Sequence, residues 1–435
     1  MTTYTDKKSR FGWCLYDWAN SAFATTILAA ILPVYFAEGI VPVSGVDFTF
    51  LGLKTRLCAT SLWGYAGGLT SMLILISAPL VGEIADRGNK RKIFLMVCCY
   101  LGSILTCLLF FSMTGDVFYS LILFCLAQYC FVAGNVFYDS FLPFLANGPE
   151  MDRLSGQGYA LGYLGGGALL ALSFLFIQFS NAIGIEKVMA VRITLAAAGI
   201  WWAMFGTVSF LMFSEQKAAS GSPKGIGRPA FAGLRQTWKG LCSISGHRDT
   251  MIFLIAYMIY NDGVQTVIRM ASIYGKEELG LSTGTLLGTL LMVQFIGIGG
   301  ALFMSWISGI FGARRTIMGV LVVWIGVTLY ACVMSTSLGF WMLGVAVGLI
   351  LGGTQALSRS FYGGIIPKGQ SAQFFGYFSV FEKLSAIWGP ILFAIIRQAT
   401  GTSRLSILSL SLFFLIGLIL LFFVRDKGAT QIIPG

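Results

Sequence analysis

Apolar residues run along this chain in long stretches rather than in the short alternations of a soluble domain. A polar decapeptide, MTTYTDKKSR, gives way to FGWCLYDWANSAFATTILAAILPVYFA, and comparable runs recur to residue 424. A helix needs about 20 apolar residues to cross a bilayer. Runs of that length lie near 12–37, 58–81, 93–113, 117–142, 158–180, 188–213, 250–274, 284–309, 315–334, 338–362, 372–396 and 403–424. They predict an all-α polytopic membrane protein with twelve transmembrane helices, called spans 1–12 below. The runs are too long for the strands of a membrane barrel. The first run follows Lys7, Lys8 and Arg10, as a signal peptide would. It is too long for the apolar core of one and no cleavage site closes it, so it is expected to persist as span 1.

Composition agrees. The chain is 56% apolar and 11% charged, whereas a soluble domain carries about a quarter charged residues. The net charge of +11 raises nucleic acid as a partner, but its distribution argues against one. With alternating loops, Lys7, Lys8, Arg10, Arg87, Lys90, Arg91, Lys92, Lys217, Lys224, Arg228, Arg235, Lys239, Arg314 and Arg315 fall on one side. That bias places both termini in the cytoplasm and makes the lipid bilayer the partner of the basic charge. The nine cysteines lie mostly within spans and read as small apolar filler. His247 is the only histidine, so metal-ligand spacing is absent and no cofactor is expected. The clusters GYLGGG (162–167) and GIGG (297–300) sit in apolar spans without a Walker lysine. They point to close helix packing. No nucleophile–base constellation suggests an enzyme.

The polar segment 214–249 divides the helices six and six. The expected organisation is an N-terminal half (1–213), a cytoplasmic linker with a surface helix around Trp238, and a C-terminal half (250–435). The halves look like repeats. A shift of about 220 residues sets NVFYDSF of span 4 against QALSRSF of span 10, aligning Asn135 with Gln355 and Asp139 with Arg359. YDWAN of span 1 loosely matches YNDGV of span 7. GEIADRGNKRK (82–92) matches SWISGIFGARR (305–315), with Gly309 where Asp86 stands. Paired six-helix halves are a transporter pattern.

Gly82, Asp86, Arg87, Lys90, Arg91 and Lys92 resemble the signature loop of the major facilitator superfamily, with its second glycine displaced to the Gly88–Asn89 turn. YDWANSAFATTI (16–27), QALSRS (355–360) and FFGYFSVFEKLSAIWGP (374–390) are similar to one branch of it. This is the bacterial "unknown major facilitator" group, related to the autophagy-linked vacuolar amino-acid effluxers. The resemblance implies two pseudo-symmetric six-helix halves, alternating access without ATP hydrolysis, and a bacterial inner-membrane location. It also implies that spans 1, 4, 7 and 10 line a central cavity.

Ionisable residues within spans are functional candidates. Asp17 and Asn20 share a face of span 1 with Ser21, and span 4 presents Asn135, Tyr138 and Asp139. Asp262, Gln265 and Arg269 form a stripe on span 7, with Asp262 and Arg269 about 10 Å apart along the axis. Span 10 offers Gln355 and Arg359, and span 11 offers Glu382 and Lys383. Depth assigns Asp17, Asp139 and Arg359 to an inner gate, with a permanent Asp139–Arg359 bridge as the alternative. It assigns Asp262, Gln265 and Arg269 to a substrate zone, Arg269 suiting a carboxylate or phosphate. Asp86 is placed to accept from the start of span 11 near Ser371 and Ala372 as a conformational latch, with Arg87 and Arg91 adding hydrogen bonds.

The expectation is a monomeric secondary transporter for a small polar solute, an amino acid or another carboxylate, with export favoured. A proton is a candidate coupling ion, with Asp139, Asp262 and Glu382 as its sites. A non-transporting receptor on the same scaffold is the competing reading.

Overall fold

The computed structural model describes residues 7–42, 44–50, 53–57, 59–88, 90–212 and 248–425. The linker expected over 214–249, except for its last two residues, lies outside them. Among the described residues, twelve helices are long and apolar enough to cross a membrane: Lys7–Ile40, Leu62–Asp86, Arg91–Phe111, Val117–Leu145, Pro149–Ile183, Lys187–Met212, Arg248–Ala271, Gly288–Phe311, Ala313–Val333, Ser337–Ile365, Ser371–Thr400 and Ser403–Phe422. These are spans 1–12.

Three features depart from the sequence expectation. Span 5 starts at Pro149 rather than near 158. Its first turn carries Glu150 and Asp152, which interrupt an apolar run but suit a helix start, as does proline there. Span 11 is not continuous: 11a (Ser371–Leu384) ends before 11b (Trp388–Thr400) begins. Between spans 1 and 2, a hairpin pairs β1 (Val46–Phe50) with β2 (Leu53–Leu57), Asp47 opposite Arg56. Five-residue strands with a two-residue alternation are invisible to a search for long apolar runs.

Contacts divide the chain into two compact units. The first holds Met1–Ala78, Lys90–Tyr138 and Leu161–Glu215. Its helices approach through glycine. A Cβ at Gly165 would lie 2.6 Å from the Trp18 carbonyl oxygen, and one at Gly166 would lie 2.9 Å from that of Ser21. The GYLGGG cluster therefore seats span 5 against span 1, and the Thr25 hydroxyl adds a 3.1 Å bond to the Gly166 carbonyl. Spans 1 and 6 meet likewise at Gly12, whose carbonyl accepts from Ser209 Oγ at 2.6 Å.

The second unit holds Pro79–Asn89, Asp139–Ala160 and Gln216–Gly435. Spans 7–12 are thus grouped with the end of span 2, the last residues of span 4 and the start of span 5. Within this unit, a Cβ at Gly300 of span 8 would lie 2.7 Å from the Gly348 carbonyl oxygen of span 10.

At the end of this unit away from the signature loop, Glu278 fastens the start of span 12. It accepts from the Ser403 backbone N–H, from Thr402 Oγ1 at 3.0 Å and from Arg397 at 3.4 Å, with Arg404 at 3.7 Å. Burial works against ionisation, but the Ser403 N–H, the Thr402 hydroxyl and the Arg397 guanidinium outweigh it. They hold the Glu278 carboxyl below the usual carboxylate range. A carboxyl depressed on folding stabilises the folded state above its unfolded value, and that contribution is lost as pH falls through the folded value. Acidification below about pH 4 is therefore expected to lower the melting temperature. Glu278→Gln should melt lower than wild type at neutral pH and show a flatter acid limb. Parallel acid limbs for the two proteins would count against the clamp.

Candidate functional site

Asp17 sits on a turn of span 1 that faces span 4. It accepts a 3.0 Å hydrogen bond from Tyr138 Oη. One turn on, Asn20 Nδ2 donates to Asn135 Oδ1 at 2.7 Å. The Tyr138 ring stacks on Trp13 with centroids 4.4 Å apart, and Trp13 Nε1 donates to the Tyr138 carbonyl at 2.9 Å. All these side chains but Asn135 are buried. Four of the predicted residues therefore form one polar seam inside the first unit.

The next residue of span 4, Asp139, meets Arg359 of span 10 at 3.1 Å. The guanidinium is 4% exposed and is enclosed on several sides. Its Nε donates to Ser155 Oγ and its Nη2 to the Ser155 carbonyl, both at 3.0 Å. Its planar face lies 4.2 Å from the centre of the Tyr159 ring. Ser155 Oγ donates in turn to the Ala356 carbonyl at 2.7 Å. Ser155 and Tyr159 were not singled out from the sequence. The signal available is their i, i+4 spacing across the expected start of span 5 near residue 158.

Asp86 reaches the first turn of 11a. Its Oδ1 accepts from the Ala372 N–H at 3.2 Å and its Oδ2 from the Gln373 N–H at 2.8 Å. Gly82, one turn earlier, stands so close that a Cβ there would strike the Ala372 carbonyl oxygen. The glycine lets the backbones approach and the acid meets the helix start. Arg91 is buried at the start of span 3, and the Arg87 side chain lies outside the described residues.

The span 7 stripe converges on the break in span 11. Asp262 Oδ2 accepts from the Trp388 N–H at 3.0 Å and Oδ1 from the Gly389 N–H at 2.9 Å. Asn261 Nδ2 donates to Ser385 Oγ at 2.6 Å. Arg269 donates to the Ala386 carbonyl at 3.4 Å and is exposed. Asp262 and Arg269, expected to stand about 10 Å apart along the axis, thus bond N–H donors and a carbonyl acceptor of one backbone turn. Both Asp262 oxygens accept from backbone N–H groups at the break. Gln265 and Gln355 are half-buried, as are Glu382 and Lys383, which form the last turn of 11a before the break.

A family model described as "Vacuole effluxer Atg22 like" matches residues 5–431. The chain belongs to this family. Among relatives of the Atg22-like family, the chain is 29% identical over 427 residues to the "Uncharacterized MFS-type transporter YxiO" of Bacillus subtilis (strain 168), covering 98% of this chain and 96% of the relative. It is 23% identical to "Autophagy-related protein 22-1" of Penicillium rubens, covering 98% and 91%. Its fold matches the major facilitator superfamily transporter FucP in its outward conformation, with a TM-score of 0.71, 13% identity and coverage of 98% and 100%. It also matches the human organic anion transporter MFSD10, with a TM-score of 0.71, 13% identity and coverage of 95% and 99%. This Atg22-like protein is an integral membrane protein with the major facilitator fold, and secondary transport is its class of activity.

The Asp139–Arg359 contact yields a direct test. Removing one partner of a buried ion pair costs roughly 3–5 kcal/mol, because the other charge stays buried. Asp139→Asn and Arg359→Gln are each expected to lower thermal stability. The double variant should lose less than the sum of the two, with a coupling energy of about 1–3 kcal/mol. Additive losses would show that the residues are not energetic partners.

Proposed function

We propose that this Atg22-like protein carries a small carboxylate-bearing solute, an amino acid or a related acid, out of the cytoplasm by alternating access. The halves 1–213 and 250–435 are the moving bodies, joined by the cytoplasmic segment 214–249. Both termini and the signature loop face the cytoplasm of a bacterial cell, on the distribution of basic residues, and the chain acts as a monomer in the inner membrane.

One observation carries this reading. Residues at the ends of spans 2, 4 and 5 are fastened to spans 10 and 11 by a few discrete polar contacts, those of Asp86, Asp139 and Ser155. A hydrogen bond to a charged group is worth about 1.5–3 kcal/mol. A handful of such contacts can close one side of a transporter and still be released during its cycle.

Substrate class rests on Arg269. A guanidinium has five donors, and among the described residues Arg269 places one of them in a long bond to Ala386. An exposed guanidinium beside a backbone break is suited to a carboxylate. In the first unit Asp17, Asn20, Asn135 and Tyr138 are the candidate polar lining of the solute path; in the second, Gln265 stands one turn from Arg269. Glu382, half-buried at the break, is the candidate site of a coupling proton.

Counterflow of amino acids and small organic anions in proteoliposomes tests the transport reading, and a receptor would show none. Arg269→Lys is expected to weaken substrate binding by losing the planar fork. Arg269→Gln should weaken it further, by roughly tenfold to a hundredfold, with the melting temperature unchanged. Wild-type affinity in Arg269→Gln would remove the anionic solute from the account.

A further inference from the structure

The repeat of the signature loop on span 8 lacks the acid of the first copy, with Gly309 standing where Asp86 does. A Cβ at Gly309 would meet nothing within 4 Å, so that position points away from neighbouring helices. The buried positions of this turn are Ser305 and Ser308, and what they face is the start of span 5. Ser308 Oγ donates to Asp152 Oδ2. A Cβ at Gly156 would strike Ser305 Oγ and lie 2.9 Å from the Ala301 carbonyl oxygen. This is the kind of approach that Gly82 makes to Ala372.

Asp152, Ser155 and Gly156 lie at i, i+3 and i+4 and so share a face of span 5. Asp152 and Gly156 meet span 8, while Ser155 meets span 10. Span 5 starts at Pro149 and span 11 at Ser371. That separation is close to the 220 residues between Asp139 and Arg359. The span 5–span 8 contact is therefore the repeat counterpart of the span 2–span 11 contact. Its polarity is reversed, with the carboxylate on the helix start and the neutral donor on the signature copy.

We propose that Asp152 is the acid of a second latch, transferred across the contact from span 8 to span 5, and that it opens together with the Asp86 latch. Asp152 is a positioning residue for transport, and the proposal rests on the alternating-access reading above. An acid in a first turn also favours its own helix through the dipole. That local role would affect span 5 alone, whereas a latch ties distant segments to one opening event.

Amide hydrogen exchange of the full chain in lipid nanodiscs separates the two roles. Asp152→Asn is expected to speed exchange about tenfold or more in segments 79–88 and 371–384 as well as in 149–160. Ser308→Ala, which keeps the acid, should show the same pattern at smaller amplitude. The swap Asp152→Ser with Ser308→Asp restores a carboxylate–hydroxyl pair and should recover most of the protection. Faster exchange confined to 149–160, or wild-type exchange in Ser308→Ala, would overturn the proposal. The readout needs no solute. Coupled opening in a chain that fails counterflow would remove the transport reading and leave the latch. Counterflow lost in Asp152→Asn with 79–88 and 371–384 unchanged would remove the latch and leave the transport reading.

Discussion

A guanidinium taken out of water must find a counter-charge and acceptors for its donors, or its burial costs several kcal/mol. Arg359 is in that position. Its needs are met by Asp139 at the end of span 4 and by the hydroxyl, carbonyl and ring that Ser155 and Tyr159 of span 5 provide. One cation on span 10 thereby bonds to both the end of span 4 and the start of span 5. The closeness of Gly82 to Ala372 and of Gly156 to Ser305 is compatible with the same arrangement, since bulkier residues would hold these helices apart.

The contacts at the signature end share a physical character. They are short, polar, partly charged and few, and the glycines that permit them leave little apolar side chain to interlock. The packing elsewhere in each unit is different: Trp18 against Gly165, or Trp324 stacked on Phe414 at 5.3 Å, buries broad apolar surface. Discrete polar contacts of this kind are cheaper to release than broad aromatic packing. Secondary transport requires such a division between rigid bodies and releasable contacts.

Much of this was legible in the chain. Membrane spans are the longest-range signal a sequence carries, and twelve runs matched twelve helices. The Asp139–Arg359 contact was suggested by a repeat that placed opposite charges at equivalent positions, and the Asp86 contact by an acid next to a tight turn. What stayed hidden depended on tertiary context. Ser155 lay in a stretch whose charges, Glu150, Asp152 and Arg153, obscured a helix start, and Tyr159 lay inside the expected run without a charge to mark it. The break in span 11 falls in EKLSAIWGP, whose Glu382–Lys383 and Gly389–Pro390 pairs were signals for it but were outweighed by the length of the apolar run around them. Its open backbone is tolerated because Asp262 and Asn261 supply partners from another helix.

The central claim is that the polar contacts at the signature end hold one state of a two-state cycle. Spin labels at Ile84 and Gln370, both exposed, would report the separation of spans 2 and 11 where Asp86 joins them. In lipid, double electron–electron resonance is expected to show a short and a long distance population in the wild type, with the long one growing in Asp86→Asn. A single short distance in both proteins would contradict the account.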